Sequence, residues 1–250
     1  MQFSDEGILL SSHRHGETAA VAVLLTRVHG RHAGLVRGGG GRRWSPLLQP
    51  GAEFRVTWRG RLAEHLGQWT LEPGPAHAAA LLEDAGRLAA LSAACALVEA
   101  ALPDREPHPN LFDGLRALLG SLDAVIDPVE WGELYVHWEL GLLRELGYGL
   151  NLSSCAVTGA TEGLTHVSPK TGRAVSAAAA APYADRLLRL PGFLGGGAGA
   201  NHAMAEVLAG LALTGHFLAG QAFAAHRQAT PAARARLVAF FSRDATMAGV

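Results

Sequence analysis

The period of the hydrophobic pattern changes once along this chain, near residue 75, and that change constrains the fold more than any other feature. Before it, the apolar runs are short and each is bounded by glycine: "EGILLSSHRHG", "ETAAVAVLLTRVHG", "RHAGLVRGGGG", "EFRVTWRG" and "GQWTLEPG". In the fourth run Phe54, Val56 and Trp58 alternate with Arg55, Thr57 and Arg59. That is the two-residue period of a half-buried strand with a cationic outer face. Five such strands, with turn signals roughly every 8 to 14 residues, leave no room for crossover helices and predict a small closed barrel.

The segment "EPGPAH" (Glu72 to His77) ends this region with two prolines, and the pattern turns helical. "AALLEDAGRLAALSAACALVEAAL" is Ala/Leu-rich and predicts a helix from Ala79 to Leu102. A second helix is expected from the N-cap Asn110, and a third opens on Asp127-Pro128 and stops at Gly147. In the third, Trp131, Leu134, Tyr135, Trp138, Leu142 and Leu146 fall at helical spacing and read as core. The chain is irregular from Tyr148 to about Ala181, "RLLRLP" reads as helix broken by proline, and helices are expected near 202–225 and 231–242. The organisation expected is a barrel over 1–75, a helical domain over 76–147 and 182–250, and an irregular subregion over 148–181.

Charge is uneven although the net is only −1. Residues 1–75 hold nine arginines against six acidic side chains, and "TRVHGRHAGLVRGGGGRRWSPLLQPG" (Thr26 to Gly51) has five arginines and no acid. A polyanion is therefore sought on the barrel. Lys170 is the single lysine, so the preference for arginine reads as coding bias and carries little functional weight.

Motifs for other chemistries fail on inspection. The four glycines before Arg42-Arg43-Trp44 lack the Lys-Ser/Thr that a phosphate-cradling catalytic loop requires. "GGGAGA" (Gly195 to Ala200) satisfies a dinucleotide fingerprint, but no βαβ unit surrounds it, and it reads as a link between helices. The pairs "HRH" and "HGRH" are flanked by arginine, which repels a cation, and Cys95 and Cys155 lie far apart, so no metal set and no disulfide framework is expected. The stretch Val207 to Ala225 is rich in Ala and Gly with His216 and Gln221 inside, which favours a buried helix over a membrane span. No signal segment opens the chain, and a cytoplasmic protein without catalytic residues is the expectation.

The stretches "DEGILLSSHRHGE", "AVLLTRVHGRHAGLVRGG", "LQPG", "ELYVHWELGLLRELGYGLNLSSCAVTG", "VSPKTGRAVS" and "LLRLPGFL", taken in order, closely resemble the RecO family of bacterial DNA repair proteins. The resemblance covers essentially the whole chain. It implies an α+β protein: an N-terminal five-stranded oligonucleotide/oligosaccharide-binding (OB) barrel, then a helical body with a small zinc-finger-like subregion. It further implies binding of single- and double-stranded DNA, annealing of complementary strands, and contact with the C-terminal tail of the single-stranded DNA-binding protein. With RecR and RecF, such proteins help load RecA, near the nucleoid, with no cofactor and no turnover chemistry.

On this reading Arg27, Arg31, Arg37, Arg42, Arg43, Arg59 and Arg61 are phosphate contacts and Trp44 a base-stacking candidate, with the glycines letting the loop follow a flexible strand. Trp58 serves equally as a second stacking residue or as barrel core. Lys170 and Arg173 either extend the basic surface or shape a turn. Some relatives carry four zinc-binding cysteines where only Cys155 stands here, so no zinc is expected, with Thr158, Val167 and Val175 packing the subregion instead. A non-catalytic protein-interaction scaffold with a bystander basic loop stays open as the alternative.

Overall fold

Alternation of apolar and polar residues places one face of each N-terminal strand inward, and the computed structural model shows these faces closing on one another. The structure describes residues 1–44, 46–62, 65–195, 203–225 and 227–247. Five strands, β1 (Gln2–His15), β2 (Ala19–Thr26), β3 (Gly30–Val36), β4 (Ala52–Arg59) and β5 (Gly67–Ala76), form a closed barrel in the order β1-β2-β3-β5-β4. All pairings are antiparallel except β3 with β5, where three rungs run parallel: Gly34↔Gly67, Leu35↔Gln68 and Val36↔Trp69. β1 is long enough to pair with β4 through its first half and with β2 through its second.

The expected alternation in β4 sorts cleanly, with Phe54, Val56 and Trp58 buried and Arg55 and Arg59 exposed. Leu9, Leu24, Val36, Phe54, Trp58 and Trp69 fill the interior. Trp58 is 1% exposed and its indole N–H donates to Ala33 O at 3.3 Å. It is core, and the stacking alternative for it falls away. Burying a side chain of this size contributes roughly 2–3 kcal/mol, more than a surface role would leave available. At the parallel seam, a Cβ on Gly67 would lie 2.1 Å from Trp58 Cε2 and one on Gly34 2.6 Å from Trp69 Cδ1. Bare backbone is what lets the two indoles lie across the seam.

Two compact units divide the chain: residues 1–124 with 231–234, and residues 125–230 with 235–250. The first holds the barrel together with α1 (His77–Ala80), α2 (Ala85–Ala101) and α3 (Pro109–Ala124). The predicted Ala79-to-Leu102 helix is interrupted, because Asp84 turns out of helical geometry and caps α2 by accepting from Arg87 N at 2.9 Å. α3 begins at Pro109, which takes the first helical position in place of a cap at Asn110. Cys95 of α2 sits on Leu9 O of β1 at 3.8 Å, and burial pushes its thiol up to about 12.

The second unit contains α4 (Pro128–Glu145), capped by Asp127 through Val129 N as the sequence predicts. Its aromatic stripe is mostly core: Trp131, Tyr135 and Trp138 are buried, whereas Leu134 is 37% exposed. The segment read as irregular contributes two strands, β6 (Leu164–Val167) and β7 (Ala174–Ser176), to a three-stranded sheet that β8 (Leu188–Arg189) completes from beyond it, in the order β7-β6-β8. Within "RLLRLP", Leu188 and Arg189 are thus strand rather than helix, since they pair with Val167 and His166, while Arg186 ends a 3-10 turn. A short α5 (Ala177–Ala180) and a 3-10 turn (Ala181–Arg186) connect β7 to β8, and a second 3-10 turn (Gly192–Leu194) follows. Of the "GGGAGA" link, Gly195 takes φ +98° and the rest lies outside the described residues. α6 (Met204–Phe217) continues into a π-turn (Leu218–Phe223), and α7 (Ala232–Met247) ends the described chain. Among the described residues no helix is long and apolar enough to cross a membrane.

Candidate nucleic-acid interface

The loop between β3 and β4 opens with Arg37 and four glycines, and its backbone is tied down. Gly39 N donates to Val36 O and Gly40 N to Thr18 O, each at 3.1 Å, and Arg14 Nη2 donates to Gly40 O at 3.2 Å. Gly38 takes φ +72°, and a Cβ on Gly39 would meet Ala20 Cβ and Val36 O, both at 2.9 Å. The glycines therefore let the loop lie against the β1–β2 hairpin, a close approach rather than the pliancy expected from sequence. Trp44 follows, half-buried and packed against the barrel core, its carbonyl accepting from Leu47 N and Leu48 N. Arg37, Arg42 and Arg43 are exposed and form no ion pair among the described residues.

Register puts Arg14 at the same end of the barrel, because Arg14 pairs with Ala20 and Ala20 with Val36. Sequence reasoning passed over Arg14, seeing "HRH" only as a failed metal pair. The signal was the length of β1, which carries that triplet out to the hairpin tip beside the glycine loop.

Arg27 and Arg31 have other partners. Arg27 makes a two-pronged contact with Asp113 of α3, Nε to Oδ1 at 3.0 Å and Nη2 to Oδ2 at 2.8 Å. That bond raises the Arg27 guanidinium further and holds the Asp113 carboxyl below its usual range. Arg31 Nε donates to Asp104 Oδ1 at 3.0 Å, Nη1 donates to Glu99 O, and Arg31 O accepts from Arg105 N at 2.9 Å. Both arginines fasten the barrel to the α2–α3 segment.

A second set of charges works the same way. Arg116 of α3 reaches Glu6 Oε2 at 2.7 Å and lies 3.2 Å from Glu53 Oε2, and the buried His77 bridges Glu53 Oε1 (3.0 Å) and Asp123 Oδ2 (2.5 Å). The network ties Glu6 and Glu53 of the barrel to α1 and α3. Arg59 pairs with Gln2 on one side and with Gln68 on the other, and Gln68 in turn pairs with Leu35, two residues before Arg37; Arg59 donates through Nε to Gln2 Oε1 at 3.0 Å and stays exposed, as does Arg61.

Lys170 and Arg173 belong to the second unit, on the tight β6–β7 turn closed by Gly172 N to Ser168 O and Ser168 N to Arg173 O, each 2.9 Å. Both side chains are exposed. Nearby, the buried Cys155 thiol accepts from Ser176 N at 3.3 Å and Thr158 N at 3.5 Å, and hydrogen bonding from Ser176 and then Thr158 pulls it down to about 6. Thr158 itself is exposed, so the packing expected of it falls to Leu164 and Ala174 alongside Val167 and Val175. A structural zinc does not fit this set: one thiolate and two backbone N–H groups offer a single ligand where four are needed. Among the described residues no three His, Cys, Asp or Glu side chains gather as metal ligands do.

A closed five-stranded barrel of order 1-2-3-5-4, with basic loops and a helical unit after it, defines the class of OB-fold proteins with a helical extension. Within it, residues 1–71 match the family model for the recombination protein O N terminal domain and residues 82–229 that for its C terminal domain. Proteins called DNA repair protein RecO are similar along the whole length. That of Rhodospirillum centenum is 54% identical over all of this chain and 98% of its own, that of Cereibacter sphaeroides 49% over 97% and 99%, and that of Jannaschia sp. 46% over the full length of both. The chain belongs to the RecO family.

Proposed function

We propose that this protein is a non-catalytic recombination mediator that binds single- and double-stranded DNA through the glycine-loop end of its barrel and anneals complementary strands. Family membership supports the role in DNA repair and recombination. One observation carries the assignment of the surface: Arg37, Arg42 and Arg43 are exposed, without ion pairs among the described residues, on a loop whose backbone is pinned to the β1–β2 hairpin. Charges presented on a loop whose backbone is already fixed neutralise phosphates and release counterions without the further cost of ordering that backbone. Arg14 adds a fourth cation, while Arg59 and Arg61 extend the surface across β5 toward Gln2. Juxtaposing two neutralised strands requires no nucleotide. The tail of the single-stranded DNA-binding protein, RecR and RecF are the partners, and RecA loading in the cytoplasm at the nucleoid is the outcome.

The test is fluorescence anisotropy of a labelled single-stranded oligonucleotide across a salt series, without nucleotide or metal. Steep salt dependence is expected, and Arg42→Ala with Arg43→Ala should flatten the log–log slope by about 0.7 for each single-strand phosphate no longer neutralised. Absence of binding at low salt would move the reading to the scaffold. The internal engagement of Arg27 and Arg31 is the observation that keeps that alternative in play.

A further inference from the structure

His29 lies in the turn between β2 and β3, where a side chain ordinarily rotates freely. Here it is fixed. Asp5, whose own side chain is 5% exposed, accepts from Val28 N at 2.9 Å and His29 N at 3.2 Å, and pairs with His29 Nδ1 at 2.9 Å. One carboxylate thereby sets both the turn and the plane of the imidazole.

That plane continues a column of rings. Trp58, in the barrel interior, stacks on Phe3 at 5.6 Å with 15° between planes, and Phe3 stacks on His29 at 3.8 Å with 11°. His32 and Trp69 brace Phe3 edge-on at 5.1 and 6.0 Å. The column runs from a residue 1% exposed to one whose side chain is 36% exposed. The imidazole keeps about a third of its surface in solvent, and among the described residues Phe3 is the only ring stacked on it. Beside it Val28 is 58% exposed, and the strand ends at this side of the barrel carry the exposed Arg59 and Arg61.

We infer that the outer face of His29 is a stacking platform for an unpaired nucleobase, the next ring in the Trp58–Phe3–His29 column. The inference rests on the DNA-binding reading above. Unpaired bases stack on aromatic and histidine rings, and a pre-oriented ring accepts one without losing rotational freedom. A duplex keeps its bases stacked within itself and offers none to the platform. The site would therefore favour single strands, and its contribution carries no counterion release.

The experiment uses the full chain and two variants, His29→Ala and His29→Phe, with a labelled oligothymidylate and a labelled duplex of the same length in parallel salt series. For His29→Ala we expect roughly tenfold weaker binding to the single strand, an unchanged salt slope and unchanged duplex affinity. His29→Phe keeps a flat ring and should bind the single strand like the parent. Equal single-strand affinity of His29→Ala and parent overturns the platform while leaving the arginine-based reading intact. So does an equal loss on duplex, or a His29→Phe as weak as His29→Ala, which would make the turn merely structural. A parent that binds neither probe would sink the DNA-binding reading itself and the platform with it.

Discussion

Arg27 and Arg31 lie within sixteen residues of Arg42 and Arg43 in one acid-free stretch, yet the structure treats the two pairs oppositely. The first pair is bound to Asp113 and Asp104 and joins barrel to helices, whereas the second makes no ion pair among the described residues and sits on a loop anchored by its own backbone. The partners of the first pair lie 86 and 73 residues further along the chain. A run of positive charge is thus a mixture of fasteners and contacts, and distance from the nearest acid in space, not in sequence, separates them. Free charge belongs where no helix packs.

The largest effect that would break this contrast is on DNA affinity. Replacing Arg37, Arg42 and Arg43 together by Ala should weaken single-strand binding on the order of 100-fold at 0.1 M salt, as three phosphate contacts would, with the melting temperature unchanged. A melting temperature that drops with the affinity would show these residues to be fasteners too. Next in size, Arg31→Ala should destabilise the first unit by about 1–3 kcal/mol, because it strands the Glu99 carbonyl and releases Asp104, while leaving the salt slope of DNA binding where it was. Denaturant unfolding and the anisotropy series measure the two halves of that statement.

Gly39→Ala sharpens the comparison without altering any charge. The added methyl meets a strand carbonyl and Ala20, so the loop must shift off the hairpin, and DNA affinity should fall several-fold with a stability loss of about 1–3 kcal/mol. If affinity holds, the pinning of the loop is irrelevant to its charges. The smallest effect is expected for Asp113→Asn, whose pair with Arg27 lies half in water. Arg27 lowers the Asp113 pKa, so the pair contributes fully above the ordinary carboxylate value of about 4 and loses its contribution as pH falls through the lowered one. The melting difference between parent and variant should therefore be small at neutral pH and vanish in acid.

The barrel was legible because each strand states its own face: alternation in β4 and the glycine at each strand end need no distant information. The helical division was less so. Ala and Leu carry no sign of where a helix must stop, and only Asp84, four residues before Leu88, marks the true start of α2. β8 was missed since two residues of "RLLRLP" have no period to read, and their strand character comes from pairing with β6. At the candidate interface, sequence supplied the loop and its cations but not Arg14, which joins them only through register, nor the acids that claim Arg27 and Arg31. His29 stood in plain view within "HGRH", but a stack on Phe3, twenty-six positions earlier, is not a local property.

The parallel seam between β3 and β5 gives the barrel an order of assembly. Neighbouring strands along the chain meet through short turns, while the three rungs from Gly34–Val36 to Gly67–Trp69 join segments separated by the whole of β4 and both its loops. β1 and β4 close a longer loop, Gln2 to Arg59, but hold it with seven rungs, so the three-rung seam is the weakest closure of the ring and the first to open. Trp58 and Trp69 lie across it, and changes in indole emission during refolding would time the moment at which a meander of hairpins becomes a ring.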